Sequence, residues 1–154
     1  MYMLEDFFTN FVLMSAVCAW FAAQFLKVVV TLIKDKQFKP KVLLFSLGGM
    51  PSSHSATVCA LFTAAGIYFG LDSFEFAVSA VLAMVVMTDA MGVRWQTGEQ
   101  SKVINRIVKK LFGGNHEEAE TALKELVGQT PFQVFMGAIV GIATPFVTQL
   151  FFNV

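Results

Sequence analysis

Gly48-Gly49-Met50-Pro51-Ser52-Ser53-His54-Ser55-Ala56 is the stretch whose reading decides the fold. Two glycines and a proline form a hinge, serines and an imidazole follow, and an apolar run from Thr57 to Leu71 comes directly after. A polar cluster opening so hydrophobic a segment is either a plain helix cap or an anion site. A helix start gathers unpaired backbone N–H groups and the positive end of the helix dipole, so anions favour it.

Composition settles the class. Of 154 residues, 56% are hydrophobic and 14% charged, and 17 are Phe. Soluble domains carry roughly 25% charged residues. A single chain this small could not bury so much apolar surface in water, so the expectation is an all-α integral membrane bundle forming one domain over 1–154. Net charge is zero, and no nucleic-acid partner is expected. Cys18 and Cys59 sit in apolar runs and read as small buried hydrophobes. The N-terminus has Glu5 and Asp6 and no basic region, so no cleavable signal is expected.

Outward from the hinge, four spans are expected, at about 7–33, 52–70, 74–90 and 131–153, each near the ~20 residues a membrane helix needs. Ser73 suits the cap of the third, and Thr130 with Pro131 the start of the last. Between them, 94–112 alternates apolar residues with Lys102, Arg106, Lys109 and Lys110 at helical spacing, as a surface helix does. A short polar helix is expected over Glu117–Leu126. The basic residues concentrate in 34–41 and 102–124, after the first and third spans. The positive-inside rule puts both segments in the cytoplasm and both termini outside.

That topology brings the unusual polar residues to one membrane depth. Pro51 to Ser55 and Gln129-Thr130-Pro131 open two helices at the same face. Gln24 and Lys27 lie at the matching end of the first span, and Asp89 and Arg94 at that of the third. Ionisable groups in membrane segments are costly and usually functional. Two helix starts plus Lys27 and Arg94 make an anion site, and its natural ligand is a phosphate on a lipid. Each residue also has a plainer role. Lys27 can snorkel, Arg94 can be one more cytoplasmic charge, and Asp89 can pair with either. The serines can be caps, His54 a packed core residue, and His116 a solvated loop residue. Gly137 and Gly141 form a GxxxG pattern for close helix contact, within the bundle or in a homodimer.

These residues resemble a known family. GGMPSSHSA at 48–56, DAMGVR at 89–94, Gly98-Glu99-Gln100, Ile104-Asn105 and GQTPFQV at 128–134 are together similar to the divergent branch of the type-2 phosphatidic acid phosphatase superfamily, also described as acid phosphatase/vanadium-dependent haloperoxidase related. The main superfamily builds a phosphate pocket from K-x6-R-P, P-S-G-H and S-R-x5-H-x3-D. The middle motif is present as Pro51-Ser52-Ser53-His54. Lys27, six residues and Lys34 stand in for the first, and the third is absent as such. The divergent branch usually carries Gly-His-x-Pro-x-Glu-Val before its last helix, and here both ionisable positions are amides, Gln129 and Gln133. Trp95 stands where the branch commonly has a second Arg.

The resemblance implies a membrane phosphatase acting on a lipid phosphate or pyrophosphate at the cytoplasmic leaflet of the plasma membrane. In that reading Lys27, Ser52, Ser53, Arg94 and Gln129 hold phosphate, and His54 is general acid or nucleophile. Asp89 orients His54 or activates water. Gln24, Gly49, Pro51, Ser55, Gln100, Asn105 and Thr130 support the site. No metal and no cofactor is expected, since one carboxylate is a poor basis for a metal site. The alternative is a non-catalytic phospholipid-headgroup-binding or scaffolding protein, because an amide neither forms a phosphoenzyme nor shuttles protons. A small transporter is disfavoured by the lack of a polar pathway through the outer half of the spans.

Overall fold

A computed structural model describes residues 2–35, 49–112 and 129–152. The basic segment beyond residue 35, the Glu117–Leu126 stretch and His116 lie outside the described residues. Six helices are described: α1 (Tyr2–Thr9), α2 (Phe11–Asp35), α3 (Ser53–Phe69), α4 (Phe74–Met91), α5 (Val93–Phe112) and α6 (Pro131–Phe152). The protein is an all-helical membrane protein.

The first expected span is divided. Asn10 ends α1 and caps α2, its Oδ1 accepting from Leu13 N–H at 3.0 Å and its carbonyl from Met14 N–H at 2.9 Å. Thr9 Oγ1 donates back to the Glu5 carbonyl at 2.9 Å, closing the short helix. A local cap therefore overrides an apolar run that continues through Phe7, Phe8 and Phe11. The other starts fall as expected. Ser52 caps α3 and Ser73 caps α4, each side chain accepting from the N–H three residues on.

Among the described residues three helices are long and apolar enough to cross a membrane: α2 over Phe11–Ile33, α4 in a run beginning at Phe74, and α6 over Pro131–Phe152. With 17 residues, α3 stands at the short end of the range for a span. It packs against α2, α4 and α6 and so forms the centre of the bundle. Small side chains make that possible. Ala19 and Ala23 of α2 meet Ala56 and Ala60 of α3, with Val140 of α6 packed on them. A Cβ on Gly137 would fall on the Ser52 carbonyl oxygen, and one on Gly141 on that of Ala56. The glycine face is thus used against α3 within the chain, one of the two contacts open to the GxxxG pattern. The large side chains point the other way: Phe21, Phe25, Phe132, Phe135 and Phe151 are all exposed. Small inside and large apolar outside suits a solvent of lipid tails.

Side-chain pairs fix the directions. Phe11 meets Tyr68 and Phe152 at ring distances of 6.2 and 5.8 Å, and Ser15 hydrogen-bonds Thr148 at 2.7 Å. So α2 runs antiparallel to α3 and α6. Cys59 Sγ lies 3.5 Å from Met87 Sδ, which sets α4 antiparallel to α3. The end of α2 with Gln24 and Lys27 therefore meets the starts of α3 and α6. Among the described residues the amphipathic α5 packs against α4 and makes no comparable contact with α2, α3 or α6. Its Val103, Ile104 and Ile107 are exposed, and Lys102 pairs with Glu99 at 2.6 Å.

Candidate functional site

The hinge is built around Lys27. Gly49 has φ of 103°, a backbone conformation that side chains rarely permit, and the Met50–Pro51 bond is cis. A Cβ on Gly49 would stand 3.3 Å from both Cγ and Cδ of Lys27. Glycine therefore lets the loop lie directly on the lysine stem. Lys27 is 1% exposed, the largest of the fully buried side chains among the described residues. One turn back on α2, Gln24 is also buried, and its Oε1 has no hydrogen-bond partner among the described residues.

Ser52 ties this hinge to α6. Its Oγ donates to Gln129 Oε1 at 2.6 Å and accepts from Ser55 Oγ at 3.0 Å and from Ser55 N–H at 3.3 Å. Its N–H donates to the Gln133 carbonyl at 3.0 Å. Ser52, Ser53, Ser55, Pro51 and Gln129 are all buried. Because Oε1 of Gln129 is committed to Ser52, what the amide has left to offer is its N–H donors. The first N–H groups of α3, on Ser53 and His54, have no intrahelical acceptor by helix geometry. The cluster thus gathers a lysine, an amide and a helix start, all suited to an anion.

Gln133 has a different task from the one its position suggests. Its Oε1 accepts from Thr130 N–H at 3.0 Å, while Thr130 Oγ1 accepts from Gln133 N–H at 3.3 Å. This reciprocal pair is a capping box, for which Glu and Gln serve alike. The pattern Thr-x-x-Gln was in the sequence and could have been read there. The Ser52–Gln129 bond, which joins residues 77 apart, had no such signal.

His54 is exposed on the first turn of α3, unlike its serine neighbours, so it is not a packed core residue. Asp89 is half-buried near the end of α4. From the level where Cys59 meets Met87, Asp89 lies two residues on and His54 five residues back. The difference of three residues is about 4.5 Å along the axes. Arg94 lies on the first turn of α5, and its side chain is outside the described residues. Gln100 is exposed and Asn105 half-buried on α5, a helix packed on α4. Thr130 is an exposed cap. Among the described residues no three His, Cys, Asp or Glu side chains come together as a metal site requires.

The described residues thus form a helical membrane bundle with a buried lysine beside a Pro-Ser-Ser-His helix start. The chain matches the Divergent PAP2 family over residues 8–144 and belongs to it. It is similar to the "Uncharacterized membrane protein YuiD" of Bacillus subtilis (strain 168), with 41% identity across 96% of this chain and 99% of that protein. No solved structure matches it.

Proposed function

We propose that this chain is a membrane phosphatase of the phosphatidic acid phosphatase type, hydrolysing a lipid phosphate or pyrophosphate at the cytoplasmic leaflet of the plasma membrane. The observation that carries the reading is Lys27, buried in a membrane helix and lying on Gly49 beside the start of α3. Such a lysine is costly to keep and marks function by default. Lys27, Arg94, the Gln129 amide and the N–H groups of Ser53 and His54 hold the phosphate oxygens and stabilise the charge that develops on them. His54 gives its proton to the lipid alcohol oxygen as the P–O bond breaks. Water adds its oxygen to phosphorus while its proton passes to Asp89. The products are the lipid alcohol and phosphate, and transfer of the proton from Asp89 to His54 resets the site.

One observation favours a second reading, a phospholipid-headgroup binder without turnover. Gln129 is buried and bonded to Ser52 where the family pattern has a histidine. Purified protein supplied with lipid phosphates and pyrophosphates separates the two. Phosphate release that falls in both His54→Ala and Arg94→Ala supports the phosphatase. Unchanged release in both variants overturns the assignment. Headgroup binding without release, lost in Lys27→Met, establishes the binder.

A further inference from the structure

Lys27, the Gln129 amide and the N–H groups of Ser53 and His54 are donors, and one buried acceptor stands beside them. Gln24 is 4% exposed, and its Oε1 has no hydrogen-bond partner among the described residues. Its place follows from the antiparallel packing of α2 on α3. Phe11 meets Tyr68, and an equal count of residues leads from that pair along α2 to Gln24 and back along α3 to Ser55. The same count reaches Lys27 and Ser52 together. Gln24 therefore lies level with the first turn of α3, on the face of Lys27 and one turn, about 4.5 Å, deeper.

A carbonyl oxygen buried without a donor is costly to keep. Among the described residues α1, α3 and α6 pack on α2. Glu5 and Asp6 of α1 lie at the opposite end of the bundle, and α6 has no ionisable side chain. On α3 the ionisable side chains are the exposed His54, then Cys59 and Tyr68 further along. On α2 itself Lys27 is the charged neighbour, and Gln24 Oε1 accepts nothing from it. These helices bring no carboxylate to the level of Gln24, so its amide oxygen is the acceptor there.

We propose that Gln24 Oε1 accepts the P–OH proton of a phosphate bound at Lys27, so the site takes a phosphate in its singly charged, protonated form. The inference rests on the phosphate reading and adds which form is bound and which residue reads it. A fully ionised phosphate offers acceptors alone, and against Gln24 it sets lone pair to lone pair. A protonated monoester gives its charge to Lys27 and its hydroxyl to Gln24, and both are satisfied. A diester of the same charge has no hydrogen to give.

Hexadecylphosphonic acid and its monomethyl ester share one tail and resist hydrolysis through the C–P bond. At about pH 5, below the second ionisation of a phosphate group at ~6, each carries one negative charge and only the acid keeps a P–OH. Both are titrated by phosphorus NMR into the full chain in phosphatidylcholine nanodiscs. The parent is expected to bind the acid about tenfold more tightly than the ester, the scale of affinity lost when a buried acceptor goes unsatisfied. In Gln24→Leu the acid is expected to fall to the level of the ester, while retained ester binding shows the site intact. Inorganic phosphate separates the sources. Acid binding well above that of phosphate identifies a tail-borne ligand, and equal affinity identifies free phosphate; both support Gln24 when Gln24→Leu abolishes the acid preference. Equal binding of acid and ester by the parent, or a preference that persists in Gln24→Leu, overturns the role of Gln24 and leaves the phosphate reading standing. If neither phosphonate nor phosphate binds, the phosphate reading fails and this inference with it.

Discussion

Replacing Ser52 by alanine removes the joint between the hinge and α6. Its Oγ makes the 2.6 Å bond to Gln129 Oε1 and accepts from both Ser55 groups. In Ser52→Ala the buried Gln129 oxygen loses its donor, which costs about 1–3 kcal/mol. The α3 cap is lost as well, which costs about 1 kcal/mol. The expected destabilisation is therefore about 2–4 kcal/mol. Removing both partners in Ser52→Ala/Gln129→Leu leaves no orphaned oxygen, so the double variant is less damaged than the sum of the singles. The coupling is expected to be at least about 1 kcal/mol. Reversible unfolding of the four proteins in mixed micelles, followed by circular dichroism, measures it. Additivity within about 0.3 kcal/mol would refute the reasoning, since the bond would then contribute nothing to the fold.

Other outcomes follow from the same contacts. Gly141→Leu drives a side chain into the Ala56 carbonyl and forces α3 and α6 apart, so thermal stability falls by about 1–3 kcal/mol or more. Gln133→Glu keeps the capping box and is expected to change stability by less than about 0.5 kcal/mol, with no gain in phosphate release. A large rise in release would contradict the capping role. Lys27→Met keeps the volume beside Gly49 and removes the ammonium, so phosphate binding falls at least about tenfold. Asn10→Ala costs about 1 kcal/mol through loss of the α2 cap, read as lower helicity and a lower melting point.

Much of the architecture could be read from residue type alone. Ser73, Ser52 and Thr130 mark helix starts because a hydroxyl beside an apolar run has few other uses. The convergence of Lys27, the Pro51–Ser55 stretch and Gln129 followed from counting spans, and antiparallel packing brings these residues together. Asn10 was obscured by the phenylalanines around it, because a hydropathy run registers length and not the cap inside it. Gln133 was read through the family pattern as a lost carboxylate, although Thr130 three residues before gave its actual task. The role of Gly137 and Gly141 needed coordinates, since a small-residue face looks the same whether its partner is in the same chain or in another. Gln100 and Asn105 were associated with the site by motif, and they lie on α5, which packs on α4.

The central claim is that the hinge holds a lipid phosphate and His54 acts on it. Phosphorus NMR of phosphatidic acid in nanodiscs containing the protein reads binding and turnover together. The account predicts that the lipid resonance shifts and is replaced by that of inorganic phosphate. In His54→Ala the shift persists while conversion slows by at least about a hundredfold. An unshifted lipid resonance with no product, or equal conversion in the parent and His54→Ala, would contradict it.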